Sequence, residues 1–116
     1  MIFGFVNPSL QEQMVSILEV TPIEFSRPSP ETVKVVGHYE EAFDSIVDTV
    51  RQMRFPFWHS FRAVEPAKYN DYISYMKDNG IDFEEEIHGD HVEKRWILTS
   101  TEYKHYDWGV EKINRP

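Results

Sequence analysis

Residues 81–99 read IDFEEEIHGDHVEKRWILT, and this stretch decides the fold. Two runs that mix apolar and charged residues flank the dipeptide Gly89-Asp90. Alternation with a period of two is typical of a β-strand, and Gly-Asp between two such runs favours a two-residue turn. The sequence therefore predicts an antiparallel β-hairpin from Ile81 to Thr99.

A two-residue turn also predicts which residues of the hairpin face each other. It places Glu86 opposite Glu93 and His88 opposite His91. One side is then apolar except for a Glu85–Lys94 pair, and it consists of Ile81, Phe83, Ile87, Val92, Trp96 and Leu98. The other side should face solvent, and it consists of Asp82, Glu84, Glu86, His88, His91, Glu93 and Arg95.

The rest of the chain predicts further helices and strands around this hairpin. Asn7-Pro8-Ser9 is typical of a helix start, and apolar residues at helical spacing predict a clear helix over 39–54. A third helix is predicted over 65–79, with Gly80 in the left-handed position after it. Strands are predicted at 23–25, 32–37 and 55–64, with a proline-rich loop at 26–30.

The element order from residue 32 is β-α-β-α-β-β. Right-handed crossovers would make the strands at 32–37, 57–63 and 81–88 parallel, with 91–99 antiparallel. This order resembles the thioredoxin-like arrangement, but the chain has no cysteine, so the redox activity of that arrangement is not expected. The predicted fold class is α+β: a small single domain over residues 1–116, with a mixed sheet of about four to five strands and two to three helices.

The composition excludes several classes of protein. The chain has 116 residues, of which 41% are hydrophobic and 15% aromatic, and this predicts a packed core. The absence of cysteine excludes disulfides and thiolate-bound metals. No apolar run approaches the roughly 20 residues that span a bilayer, and Met1 to Val6 lacks the basic flank of a signal peptide. We therefore expect a cytoplasmic protein.

The net charge of −8 predicts a partner with a basic surface. Direct binding of nucleic acid is not expected, because phosphates would be repelled. Residues 1–50 contain eight acidic residues but only Arg27 and Lys34 as bases. The predicted partner-binding residues are on the hairpin, with the acidic side of the helix over 39–54 as a second candidate surface; the hairpin set is Asp82, Glu84, Glu86, His88, Asp90, His91 and Glu93. The alternative is that these residues form an ordinary solvated surface.

His88 and His91 flank the predicted turn and are candidate metal ligands, with Glu86, Asp90 or Glu93 as a further oxygen ligand. Two histidines without a defined third ligand are a weak signal for a metal site. The chain also lacks the nucleophile, phosphate-loop, zinc-protease and dinucleotide motifs. An acid–base site could still assemble in three dimensions if His59 and His105 came close to the hairpin.

We therefore expect a non-enzymatic protein-interaction module that needs no cofactor and could act as an inhibitor or regulator. One version of this hypothesis is mimicry of nucleic acid by the carboxylates. A single acidic domain without motifs is typical of small accessory regulators, including viral ones. The alternatives are a small metal-dependent or His/carboxylate hydrolase and the subunit of a structural homodimer, with a strand edge or the tail around Tyr103, Tyr106, Trp108 and Val110 as its interface.

Overall fold

The predicted hairpin lies inside a larger antiparallel sheet. The computed structural model describes residues 1–90, 92–100 and 110–115, the last of these ranges by its backbone alone. The strands are β1 (Ile2–Phe5), β2 (Phe25–Ser29), β3 (Thr32–Val35), β4 (Trp58–Ala63), β5 (Phe83–Gly89), β6 (Lys94–Thr99) and β7 (Val110–Arg115). The helices are α1 (Pro8–Glu19), α2 (Glu40–Arg54) and α3 (Tyr69–Asp78), with short 3-10 turns at Gly37–Tyr39 and Pro66–Lys68.

The sheet order is β2-β3-β1-β5-β6-β4-β7, and every neighbouring pair is antiparallel. The predicted α+β class with two to three helices is confirmed, but the parallel strands and the thioredoxin-like arrangement are wrong. The reason is that β1 takes the place between β3 and β5, while β4 pairs with β6 at the far side of the hairpin. No helix therefore connects two neighbouring parallel strands in the described part of the chain. The sheet also has more strands than predicted, because β1 and β7 join it.

The helix predictions are confirmed, and one loop prediction is wrong. The side chain of Asn7 caps α1 by accepting a hydrogen bond of 2.9 Å from the backbone N–H of Ser9. Gly80, with a φ of 63°, takes the left-handed position after α3. The segment 26–30 is largely part of β2 and is not a loop. Its Pro28 fits because β2 is an edge strand, where a missing N–H does not interrupt the sheet.

The register of the hairpin differs from the predicted one by three residues. Glu86 lies opposite Trp96, where residue 93 was predicted, and His88 lies opposite Lys94. An odd displacement moves the side chains of one strand to the other side of the sheet. Trp96 and Leu98 therefore share a side with Glu84 and Glu86, and the connection covers the residues between Gly89 and Lys94. The prediction failed because it assumed a two-residue turn, whereas four residues separate the end of β5 from the start of β6.

Two apolar clusters fill the two sides of the sheet. Trp58 and Leu98 belong to a cluster with residues of β1, α1 and α2, including Phe3, Phe5, Met14, Leu18, Phe43 and Val50. Phe61 and Ile97 belong to a second cluster with Tyr72 and Met76 of α3. Side chains alternate along a strand, so α1 and α2 cover one face and α3 covers the other. Each large side chain buried in this way contributes roughly 1.5–3 kcal/mol.

Candidate functional site

Three of the predicted partner-binding residues lie on the helix-covered face of β5 and not on a solvated surface. The side chains of Glu84, Glu86 and His88 are 12%, 0% and 13% exposed. Glu84 and Glu86 contact the cap of α1 and the last turns of α2, and the ring of His88 contacts Phe3 and Trp96. The expected solvated position is therefore wrong for these three residues. The physical reason is the second helical layer, which turns a one-sided hairpin into the centre of a covered sheet.

The other predicted partner-binding residues lie on exposed positions. Asp82, Asp90 and Glu93 are exposed, and the carboxylate of Asp82 lies 2.7 Å from the guanidinium of Arg54. Lys94 and Arg95 are exposed beside Glu93. This end of the hairpin therefore carries mixed charge. His91 lies outside the described residues, and the roles predicted for it stay predictions.

Glu86 is the carboxylate at the centre of a buried polar cluster. The guanidinium of Arg51 on α2 donates from Nε to Oε2 at 2.7 Å and from Nη2 to Oε1 at 2.9 Å. The hydroxyl of Ser60 on β4 donates to Oε1 at 2.6 Å. All three residues are buried. The two parallel hydrogen bonds of such a bidentate pair fix the orientation of the guanidinium relative to the carboxylate. The pair therefore positions α2 relative to β5.

Aromatic rings enclose this cluster. The guanidinium of Arg51 lies 4.6 Å from the centre of the Trp58 ring and 5.4 Å from that of Phe3. The imidazole of His88 stacks on Trp96 with ring centres 4.2 Å apart. Its buried Nε2 lies 3.4 Å from Oε1 of Glu86, a contact too poorly aligned to be a hydrogen bond.

The electrostatics of the cluster fix the charge of Glu86. Burial by itself would raise the pKa of Glu86, but the positive charge of Arg51, the hydrogen bonds that it donates and the nearby imidazole of His88 outweigh burial and lower the pKa to about 2. A general acid or base needs a pKa near the working pH. Glu86 is therefore a structural anion at neutral pH, and the hydroxyl of Ser60, which donates to it, is not oriented as a nucleophile.

Three consecutive glutamates of β5 are each bound to a different helix. Glu84 accepts hydrogen bonds of 3.1 and 2.9 Å from the side-chain amide of Asn7, the cap of α1. Glu85, on the opposite face, accepts a hydrogen bond from the hydroxyl of Tyr69 on α3. Burial and this contact raise the pKa of Tyr69. Glu86 is bound to α2. The acidic run therefore anchors helices, a role that the sequence pattern did not predict.

The sequence did contain one signal for this cluster. Arg51 follows Val47 by four residues and Val50 by one, so it lies at the border of the apolar stripe of α2. Its place in the last turn is explained equally well by the helix dipole, which is why the buried role was missed. A basic residue at such a border position needs a buried counter-charge, and a strand with three glutamates is the place to look for one.

The predicted metal site is neither confirmed nor excluded. Within residues 1–90 and 92–100, no group of three or more His, Asp or Glu residues has the geometry to hold a metal ion. Since His91 is not among them, the His88–His91 pair remains a prediction. His59 lies on β4, opposite Thr99 and Asn114, while His105 is outside the described residues.

A cavity of about 330 Å³ adjoins His88 at the end of the hairpin where β5 connects to β6. Its lining includes Arg62, Asp90, Lys94 and Trp96. Asp90 is therefore an acidic residue that lines a cavity, and the basic residues Arg62 and Lys94 are part of the same lining. This lining carries mixed charge and does not form an acidic pocket.

The acidic surface of the described chain lies on α1 and α2. The outward positions of these helices carry carboxylates, exposed in Glu12, Glu19, Glu41 and Asp44 and half-buried in Glu40 and Asp48. Their only basic residues are Arg51 and Arg54. Both contact carboxylates at or next to β5, and Arg51 also pairs with Asp48 of α2 at 3.1 Å. Arg27 of β2 pairs with Glu12 at 2.8 Å. We call this set of six carboxylates the acidic helical layer. The sequence predicted its α2 part.

Neither a membrane-spanning helix nor a match to a known protein points to a function for the described residues. Among the described residues, no helix combines the length and the apolar composition that a membrane crossing needs. Comparisons with protein-family models, with curated proteins and with solved structures found no match to this chain. Function therefore has to be inferred from the geometry of the carboxylates and their surroundings.

Proposed function

We propose that the protein is a non-enzymatic interaction module that binds a protein partner with a basic surface through the acidic helical layer. One observation carries this proposal: α1 has no basic residue, and the two arginines of α2 contact the carboxylates of Glu86, Asp82 and Asp48. The outward side of these helices therefore carries exposed carboxylates, with Glu19 and Glu41 among them. The hairpin, where the sequence placed this surface, has mixed charge instead.

The physical role of such a surface is to attract and orient a partner. Clustered carboxylates on a protein of net charge −8 raise the local concentration of cationic groups and can increase association rates by about 10- to 1,000-fold at low ionic strength. The same charge repels phosphates, which disfavours nucleic acid as the partner. A nucleic-acid-binding protein, whose basic cleft the carboxylates would occupy, is one version of this proposal.

The fixed negative charge of Glu86 favours a structural role for this cluster over a role in catalysis. Glu86 is buried, fully hydrogen-bonded and held ionised by Arg51. The exposed carboxylates of the layer lie on the outward side of two helices. A hydrolase would need an acid and a base at a shared concave site.

The test is capture of partners from cell extract on the immobilised protein at about 50 mM and about 500 mM salt. The double variant Glu19→Lys/Glu41→Lys reverses two exposed carboxylates of the layer. Its matched control, Asp71→Lys/Asp78→Lys, makes the same charge change on α3, at the other face of the sheet. We expect a salt-sensitive partner that the first variant loses and the control keeps. Equal retention by both variants would contradict the proposal.

A further inference from the structure

The connection between α3 and β5 contains the only Asn-Gly dipeptide of the sequence, Asn79-Gly80. Both residues are exposed and follow Asp78, the last residue of α3. The side-chain amide of an asparagine can be attacked by the backbone nitrogen of the next residue, and glycine hinders this attack least because it has no Cβ atom. The pair therefore combines the residue types and the exposure that spontaneous deamidation requires.

A Schellman cap holds this pair against the end of α3. The backbone N–H of Gly80 donates to the carbonyl of Lys77 at 3.2 Å, and that of Ile81 donates to the carbonyl of Met76 at 2.9 Å. The φ of 63° at Gly80 is the left-handed conformation that this cap requires. The nitrogen that would attack is therefore hydrogen-bonded to the helix while the cap is closed.

The amide that would be attacked is hydrogen-bonded to the helix as well. The side-chain Nδ2 of Asn79 donates to the backbone carbonyl of Tyr75 at 2.8 Å. The backbone N–H of Asn79 donates to the same carbonyl at 3.1 Å. Both reacting groups are therefore engaged by carbonyls of α3, and they become free to react together only when these hydrogen bonds open.

The last turn of α3 has the features of a segment that opens locally. Lys77, Asp78 and Asn79 are exposed, and Met76 is the last buried residue before the cap. Helix ends fray, and local opening is favoured where few apolar side chains are buried and the backbone hydrogen bonds are exposed. Opening of this turn releases the amide of Asn79 and the N–H of Gly80 at once.

We propose that Asn79 is a spontaneous deamidation site whose reaction requires the last turn of α3 to open. The nitrogen of Gly80 loses its proton to hydroxide and forms a bond to Cγ of Asn79. The bond from Cγ to Nδ2 breaks, and Nδ2 takes a proton from water and leaves as ammonia, which regenerates the hydroxide. Water then hydrolyses the cyclic imide at either of its carbonyls, and the product is aspartate or isoaspartate.

Either product prevents the original cap from closing again. In isoaspartate the main chain runs through the former side-chain Cβ, so Gly80 and Ile81 are displaced from the carbonyls of α3 that they bind. In aspartate the Nδ2 donor to Tyr75 is lost, and a negative charge lies at the carbonyl end of the helix, where it is unfavourable. Ile81 packs against the apolar cluster beneath α3, so the modification also loosens the covering of that face of the sheet.

The test follows the full chain over several days at neutral pH, folded in buffer and unfolded in guanidinium chloride. Mass spectrometry of protease fragments separates the asparagine, aspartate and isoaspartate forms at Asn79. Asn70 is the internal control, because it is an exposed asparagine of the same helix but precedes Asp71. Two variants test the opening step: Lys77→Gly weakens the last turn of α3, and its control Lys68→Gly makes the same change just before the first turn.

We expect Asn79 to react about tenfold more slowly in the folded chain than in the unfolded one, and Asn70 to stay unmodified in both over the same period. Lys77→Gly should raise the rate in the folded chain about threefold, whereas Lys68→Gly should not. Equal rates in the folded and unfolded chain, or a folded rate indifferent to Lys77→Gly, would overturn the requirement for opening. An Asn79 that stays unmodified in the folded chain, or in both states, would overturn the site itself.

Discussion

Glu86 on β5 and Arg51 on α2 form a buried ion pair with hydrogen bonds of 2.7 and 2.9 Å. Taking both charges out of water costs several kcal/mol for each ion, and only close, well-aligned contacts offset that cost. Here Ser60 fills a further acceptor position of the carboxylate, and the rings of Trp58 and Phe3 flank the guanidinium. The pair therefore fixes where α2 lies over the sheet and, with it, the position of the acidic helical layer.

Removing the charge of Glu86 should destabilise the fold strongly. In Glu86→Gln, the guanidinium of Arg51 is left buried without its main counter-charge, so we expect a loss of about 3–5 kcal/mol in the free energy of unfolding. Urea unfolding followed by circular dichroism measures this loss. Asp82→Asn is the matched control, because its pair with Arg54 is exposed and should be worth less than about 1 kcal/mol. Similar losses in both variants would show that the buried pair contributes no more to the free energy of unfolding than the exposed pair does.

Replacing both partners of the pair separates charge burial from packing. In Arg51→Met/Glu86→Gln the fully buried charges are both removed, so the double variant should be more stable than Glu86→Gln alone. Urea unfolding of Arg51→Met, Glu86→Gln and the double variant gives the coupling free energy between the two sites. A loss in the double variant equal to the sum of the two single losses would contradict this prediction.

Stability should fall in acid because of Glu86. Its folded pKa is lowered to about 2 from an ordinary value of 4.5, so its contribution is complete above about pH 4.5 and is lost as the pH falls towards 2. The part lost is of the order of 3 kcal/mol. The difference in Tm between the wild type and Glu86→Gln should therefore narrow between pH 7 and pH 3. A difference independent of pH over this range would mean that Glu86 is not ionised in the folded protein.

Gly4 tests the position of β1 in the sheet. A Cβ atom at Gly4 would lie 1.5 Å from the carbonyl oxygen of Glu31, so Gly4→Ala forces the backbone of the β2–β3 turn to move. We expect a loss of about 2–3 kcal/mol or failure to fold. Gly37→Ala is the control, since a Cβ there meets nothing within 4 Å and Gly37 is not among the glycines with positive φ. Equal stability of the two variants, measured by thermal unfolding, would place β1 elsewhere.

Asn7 has two separable roles, and two substitutions should distinguish them. Asn7→Ala removes both the cap of α1 and the contact to Glu84, for an expected loss of about 1–2 kcal/mol. Asn7→Asp keeps a capping oxygen but replaces the amide donor with a charge that repels Glu84. Its stability should therefore recover in mild acid, as Glu84 or the introduced carboxylate is protonated, whereas that of Asn7→Ala should not. Parallel pH profiles of unfolding would assign the whole effect to the cap.

Local patterns predicted the helices well and the sheet poorly. The start of α1 at Pro8, the course of α2 and the left-handed Gly80 all depend on neighbours within a few residues, which a sequence displays directly. Strand partners depend on residues far away. β1 and β7 were missed for this reason. β1 is a short apolar run, and β7 follows a segment whose sequence pattern is ambiguous. The predicted docking residues Tyr103, Tyr106 and Trp108 lie outside the described residues, while Val110 begins β7.

The candidate site shows the same division. The sequence identified the carboxylates and the acidic side of α2, but it assigned the glutamates of β5 to solvent. Their partners Asn7, Arg51 and Tyr69 come from three separate elements, and the alternation of side chains along β5 does not reveal which face is covered. Only the three-dimensional arrangement distinguishes a solvated glutamate from one that holds a helix.

The three anchoring glutamates also determine when the chain can fold. The contacts of Glu84, Glu86 and Glu85 span sequence separations of 77, 35 and 16 residues. During synthesis, α1 and α2 leave the ribosome before the strand whose carboxylates bind both of them, and until that strand follows β1 has only β3 as its neighbour in the sheet. A nascent chain that stops before residue 81 therefore lacks these anchors, and the apolar side chains that pack against β5 and β6 remain exposed until the two strands follow.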